Sequence, residues 1–166
     1  MVAEKKYILT ADVAEKKILR MAYEILENNS GEKGLILAGI QENGSVVANN
    51  INRLLQETAD IKTEVITITL DKKNPGEITL SKKLDFEDKV IILIDDVCSS
   101  GKTLLYALKP FLNYHPKKIQ TLVLVERSRK FYPVNIDYTG LSIATTQHEH
   151  IYVEVSGDKV TGAYIA

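Results

Sequence analysis

Asp95 and Asp96 are adjacent carboxylates at the end of an apolar run, Val90-Ile-Ile-Leu-Ile94, and Gly101-Lys-Thr103 begins five residues after Asp96. Two carboxylates about 4 Å apart repel by roughly 4 kcal/mol at an effective dielectric near 20, so the pair calls for hydroxyl donors, a divalent cation such as Mg²⁺, or both. Ser99, Ser100, Gly101, Lys102 and Thr103 offer backbone N–H groups and three hydroxyls where a helical pattern opens. Unpaired donors at a helix N-terminus bind anions. The macrodipole adds about 0.3–1 kcal/mol, so hydrogen bonds must carry most of that binding. Acids for sugar hydroxyls beside donors for a phosphate describe a pocket for a phosphorylated sugar. Taken singly, an Asp at a strand end serves as a turn or cap residue and Ser-Ser-Gly as a plain loop. Joined at this spacing they favour a ligand site.

Ser100-Gly-Lys-Thr103 also has the form of the tail of a nucleoside-triphosphate P-loop. That motif needs a glycine five residues before its second glycine, where the backbone turns around the phosphates. Asp96 stands there and would point negative charge at a polyphosphate. The P-loop reading fails.

The elements that must position these groups follow from periodicity. Asp12-Val-Ala-Glu15 has the form of a capping box with Asp12 as N-cap. Behind it Ile18, Met21, Ala22, Ile25 and Leu26 recur at helical spacing, which predicts an amphipathic helix over 12–29. Gly34-Leu-Ile-Leu-Ala-Gly-Ile40 predicts a strand buried on both faces. Gln41, Glu42, Asn43 and Gly44 read as a loop leading to a helix over about 45–57, with Val47, Ile51, Leu54 and Leu55 inward. Glu64 to Leu70 is β-branched and strand-like. Residues 71–86 carry Lys72, Lys73, Lys82 and Lys83 and read mainly as a long loop, with a short hairpin around Ile78 and Leu80. Loops of that length in compact domains are often lids. A helix is expected over 103–113 and a buried strand over 119–125, then short strands from Val134 onward with turns at Gly140, Gly157 and Gly162. Strand–helix alternation predicts an α/β fold: a central parallel sheet flanked by helices, with ligands at the carboxyl ends of its strands.

The whole chain sets bounds. Its 166 residues, without linker, repeat or low-complexity stretch, are expected to form a single domain over 1–166. The formal net charge of −1 argues against strong nonspecific attraction to nucleic acid. Cys98 is the only cysteine, so no intrachain disulfide forms. With no membrane-length apolar run and no signal-peptide core, a cytoplasmic protein is the expectation. His148 and His150 would share one face of a strand, but two ligands do not make a metal site.

Ile91-Ile-Leu-Ile-Asp-Asp-Val-Cys-Ser-Ser-Gly-Lys-Thr103 resembles the phosphoribosyl-diphosphate (PRPP) signature of type I phosphoribosyltransferases: four apolar residues, two acids, a variable stretch and a Gly-x-Thr ending. Within that superfamily the chain is most similar to the pyr operon regulators that also have uracil phosphoribosyltransferase activity. The likeness extends from Ile8-Leu-Thr10 through Val123-Leu-Val-Glu-Arg127 to Tyr132-Pro-Val-Asn-Ile-Asp-Tyr-Thr-Gly140. It implies the type I fold, with a flexible lid loop and a small hood.

By position, the resemblance implies that Asp95 and Asp96 bind the ribose hydroxyls, with Mg²⁺ held there mostly through PRPP. Cys98, Ser99, Ser100, Gly101, Lys102 and Thr103 would surround the 5-phosphate. Gln41 to Gly44 fall at the pyrophosphate loop, residues 71–83 at the lid, and Glu126 and Arg127 at the hood over the base. The chain departs from the family in four places. Glu42-Asn-Gly44 replaces Thr-Arg-Gly, Leu70-Asp71 replaces a Tyr-Arg pair, Glu126-Arg-Ser128 replaces Asp-Arg-Gly, and Ser99 stands where Tyr or Asp is common. A cation that would meet the leaving group is therefore missing at position 43, and Lys72 and Lys73 are the candidates to replace it, although they also suit a solvated loop.

The implied reaction transfers ribose 5-phosphate from PRPP to a nucleobase, uracil being the best candidate, with release of pyrophosphate. The alternative is a PRPP- or nucleotide-sensing regulator of pyrimidine metabolism, of RNA-binding type, with weak or no catalysis. In the first helix Lys16, Lys17 and Arg20 are offset by Asp12, Glu15, Glu24 and Glu27, so no strong general RNA affinity is expected. The resemblance also implies a homodimer or higher homo-oligomer.

Overall fold

The computed structural model describes residues 4–166. Its main sheet has six strands: β2 (Gly34–Ile40), β3 (Lys62–Leu70), β4 (Ile78–Leu80), β5 (Val90–Cys98), β6 (Lys118–Arg127) and β7 (Tyr138–Ile143). Their order is β4-β3-β2-β5-β6-β7, parallel except for β4, which pairs antiparallel with β3 at the edge. A second, antiparallel sheet joins β1 (Lys6–Thr10), β9 (Lys159–Ile165) and β8 (Ile151–Ser156) in that order. The expected α/β architecture is present, with one antiparallel edge strand added to the parallel sheet.

The apolar runs are explained by burial on both sides. In β5, Val90, Ile92 and Ile94 enter a core beneath helices α1 (Ala11–Asn28) and α2 (Asn43–Thr58), while Ile91, Leu93 and Cys98 enter a second core on the other face. That second core takes Leu104 and Ala107 from α3 (Lys102–Ala107) and Phe111 from the 3₁₀ segment Lys109–Asn113. The small sheet packs on the α1/α2 side through Leu9, Ile151, Val153 and Ala163. Its strands cover the carboxyl end of the main sheet, where a hood was expected. No described helix is long and apolar enough to cross a membrane.

Several boundaries differ from those expected. Helix α1 starts one residue earlier, and Thr10, not Asp12, caps it: its hydroxyl accepts from the Val13 amide at 3.4 Å. Helix α2 begins at Asn43, so Asn43 and Gly44 belong to its first turn and not to a loop. The helix expected over 103–113 breaks after Ala107 into a 3₁₀ turn, because Pro110 has no N–H to continue the α ladder. Gly140 and Gly162 lie inside strands and not in turns: a Cβ on Gly140 would run into the Leu124 carbonyl, and one on Gly162 into that of Leu9. Gly157 does make a turn, at φ +60°. Arg20 of α1 donates to the carbonyls of Thr139 and Gly140, on the last strand of the main sheet.

Gly44 sets the distance between α2 and β5. A Cβ there would sit 2.9 Å from the Ile94 carbonyl oxygen and 3.0 Å from the Asp95 Cα. Both obstacles are backbone, so the helix must shift. Gly44→Ala is expected to cost about 1–3 kcal/mol, as overpacking does, measured as a lower urea midpoint with an unchanged m-value.

Candidate active site

Strand β5 carries the acids further into the sheet than the sequence implied. It runs on to Cys98, with Asp95 opposite Val123 and Cys98 opposite Glu126. Both carboxylates thus belong to a central strand flanked by β2 and β6. The Asp95 side chain is 1% exposed and that of Asp96 11%. Asp95 Oδ1 accepts from the Asp96 amide at 2.9 Å.

A cation and an amide answer this charge. Lys72, on the loop between β3 and β4, places Nζ 3.2 and 3.3 Å from the two oxygens of Asp95 and 3.8 Å from Asp96 Oδ1. Asn43 donates to Asp96 Oδ2 at 3.1 Å and to the Val153 carbonyl on β8 at 3.0 Å. Burial pushes the Asp95 carboxyl well above the ordinary carboxylate range. Asp96 adds to the rise, and Lys72 opposes it. For Lys72 desolvation works against the charge, but Asp95 and Asp96 outweigh it and the ammonium titrates above the usual lysine value.

The loop after β5 turns at Gly101, whose φ of +86° is a left-handed conformation that suits glycine. A Cβ there would also meet Val134 Cγ2 at 2.6 Å. The Ser100 hydroxyl accepts from the Lys102 amide at 3.2 Å, and the Ser100 carbonyl accepts from the amides of Phe131 and Tyr132, each at 3.0 Å. The segment after β6 therefore braces the loop from behind. Cys98 is buried and its thiol is pushed up to about 11, mainly by desolvation, so it packs as a neutral group beside the cavity.

Two adjoining cavities result. One, of about 290 Å³, is lined by Asp95, Asp96, Cys98, Ser99, Ser100 and Thr103 on one side and by Ile151, Tyr152 and Val153 of β8 on the other. The second, about 530 Å³, is lined by Gln41, Glu42, Thr69 and Asp71. Asn43, Lys72 and Asp96 border both. A larger depression of about 1200 Å³ lies at the amino ends of β2, β3 and β5 and includes neither the acids nor the loop. Ligands of open α/β sheets bind at the carboxyl ends, which decides against it.

Most residues singled out from the sequence meet here. The exceptions are informative. Lys73 is exposed and lines neither cavity. Its carbonyl accepts from Lys102 Nζ at 3.4 Å, and Lys102 lines neither cavity either. Glu126 pairs with Lys130 at 2.6 Å, and Arg127 donates to the Glu149 carbonyl at 2.7 Å; neither lines the cavities. The wall opposite the acids comes instead from β8, which the sequence marked only as one of several short strands. Among the described residues no cluster of three or more His, Cys, Asp or Glu side chains could hold a metal, His148 and His150 included.

This architecture is that of a phosphoribosyltransferase, and the chain belongs to the phosphoribosyl transferase domain family, matched over residues 6–157. Its curated relatives narrow the class. It is 33% identical to the Bifunctional protein PyrR of Clostridioides difficile, over 95% of this chain and 97% of the relative. It is 36% identical to the Bifunctional protein PyrR of Clostridium novyi, over 92% of each. Among solved structures, the hypoxanthine phosphoribosyltransferase of Trypanosoma cruzi superposes with a TM-score of 0.78 at 15% identity, covering 96% of this chain and 95% of the other. That likeness concerns the fold.

Because the folded state raises the pKa of Asp95, its contribution favours the native state below the unfolded value, about 3.9, and is lost as pH rises through the folded value. Asp95→Asn removes that penalty. Without ligand at pH 8 the variant is expected to melt about 2–4 °C above the wild type, equivalent to about 1 kcal/mol in a chain of this size. The gap should narrow as the pH falls toward 4. Scanning calorimetry at the two pH values checks it, and a lower melting point at pH 8 counts against it.

Proposed function

We propose that the chain transfers ribose 5-phosphate from PRPP to a nucleobase, with uracil the best candidate, and releases pyrophosphate. The supporting observation is that the buried acidic pair and the glycine-turned loop after β5 open into one cavity. In this reading Asp95 and Asp96 accept hydrogen bonds from the ribose hydroxyls. Backbone and hydroxyl donors of Ser99 to Thr103 hold the 5-phosphate. The base lies toward Ile151, Tyr152 and Val153 of β8. Uracil follows from the resemblance to pyr operon regulators with uracil phosphoribosyltransferase activity.

The C1–O bond to pyrophosphate breaks as a base nitrogen bonds to C1 from the other face, and the proton of that nitrogen passes to the departing diphosphate or to water. The protein contributes orientation and charge more than covalent chemistry. Lys72 and the first turn of α2 face the cavity where the diphosphate would leave. The site suits Mg²⁺ brought in by the substrate: an ammonium already sits against both carboxylates, and the remaining ligands would be PRPP oxygens. When bound, Mg²⁺ offsets charge on the departing diphosphate.

A second reading, a ligand-sensing regulator with slow turnover, is favoured by Asn43. Its amide is committed to Asp96 and Val153, so the α2 turn presents no cation to the leaving group. Binding of leader RNA would belong to that reading. It would show as an affinity that falls steeply with salt. Homodimerisation accompanies both readings.

The Asp95→Asn/Asp96→Asn double variant should lose PRPP binding by calorimetry, at least about 100-fold, since both hydrogen-bonded anions are removed. Unchanged affinity would sink the site assignment. A screen of uracil, other pyrimidines and purines with PRPP and Mg²⁺, read by pyrophosphate release, separates the two readings: the regulator shows binding with little release.

A further inference from the structure

Three of the four carboxylate oxygens of the acidic pair face one ammonium, and the fourth is held elsewhere. Lys72 Nζ lies 3.2 and 3.3 Å from the Asp95 oxygens and 3.8 Å from Asp96 Oδ1. Asp96 Oδ2 is taken by Asn43, whose other bond reaches β8. We infer that Lys72 is a displaceable counter-ion. Its ammonium offsets one of the pair's two charges in the empty protein, gives way to a cis-diol or a divalent cation, and then serves the diphosphate of the incoming substrate. The inference rests on the reading of Asp95 and Asp96 as ribose-binding groups.

A buried carboxylate pair needs a compensating charge when no ligand is present. The two sides of this ion pair differ in freedom. Asp95 is fixed within a central strand at 1% exposure, whereas the Lys72 side chain is 44% exposed and springs from the loop between β3 and β4. A lysine is a compact charge on a flexible four-carbon stem, so it leaves by rotamer change. Lys72 also stands at the boundary of the two cavities, so an ammonium released from the acids already faces the second one. The Asn43 amide does not share this freedom, since its two acceptors lie on different sheets. The oxygens that Lys72 would vacate are therefore both of Asp95, of which Oδ1 also accepts from the Asp96 amide, and Oδ1 of Asp96.

The exchange distinguishes ligands by whether they carry a diphosphate. PRPP displaces the ammonium from the acids and gives it a new anionic partner. Ribose 5-phosphate, or a nucleoside monophosphate product, displaces it and offers no diphosphate in return. Lys72 thus opposes the binding of the product's ribose while supporting that of the substrate, a selection made by a competing contact as much as by an attractive one.

The test uses the full chain, Lys72→Gln and Lys72→Met, with Lys72→Arg as the conservative variant. Mn²⁺ alone is followed by electron paramagnetic resonance, and ribose 5-phosphate and PRPP by calorimetry. Mn²⁺ and ribose 5-phosphate are expected to bind Gln and Met variants about tenfold tighter, the scale of one charge-assisted contact, and PRPP about tenfold weaker. Lys72→Arg should keep the wild-type order of affinities. Unchanged or weaker Mn²⁺ and ribose 5-phosphate binding in both neutral variants, with unchanged circular dichroism, overturns the counter-ion role. Failure of PRPP to bind the wild type would overturn the proposed function, and the Mn²⁺ comparison would still decide the role of Lys72.

Discussion

The arrangement turns on negative charge held inside a parallel sheet. Asp95 and Asp96 occupy positions on β5 where the neighbouring strands leave almost no water, and Asp95 is shielded as fully as Leu93 and Ile94 before it. A sheet accepts this only if other elements deliver compensation to the same place. Lys72 arrives from the β3–β4 connection, Asn43 from the first turn of α2, and the Asp96 amide from the strand itself. The close approach of α2 at Gly44, the cover of β8 and the turn at Gly101 all surround that charged point. Apolar packing against two cores keeps β5 in register, and the ligand site uses that rigidity.

Much of this was legible because strong local signals agreed. Five apolar residues ahead of two acids read as a buried strand carrying charge, although the strand runs two residues beyond the acids. Helix α1 was evident from its apolar spacing, and the β3–β4 hairpin from Ile78 and Leu80. The misplacements share a cause: they depended on neighbours distant in sequence. Thr10 replaces Asp12 as cap because β1, which the sequence did not announce, delivers the chain to the helix at that residue. Gly140 and Gly162 resembled turn residues, yet their missing side chains serve backbone approach within sheets.

The site was legible to the same extent. Local spacing brought together the acids and the loop after them, but not the residues that meet them from across the chain. Asn43 stood out only as the absence of a cation, and its tie between Asp96 and Val153 joins segments more than a hundred residues apart. Lys72 and Lys73 were equivalent in sequence. The loop conformation separates them, sending one side chain to the acids and leaving the other in water. Glu126 and Arg127 were expected over the base by position; Glu126 pairs with Lys130 and Arg127 donates to the Glu149 carbonyl, while β8 lines the cavity opposite the acids.

The guanidinium of Arg20 has a bearing on the open edge of the main sheet. The outer strand of an open sheet presents carbonyl and amide groups that invite another chain to extend it. On β7 the carbonyls of Thr139 and Gly140, which as strand neighbours point to opposite sides, both receive Arg20 from α1, so one outward-facing acceptor is already taken. At the opposite margin β4 is only three residues long. Edge-to-edge pairing is thereby hindered at both margins of the main sheet.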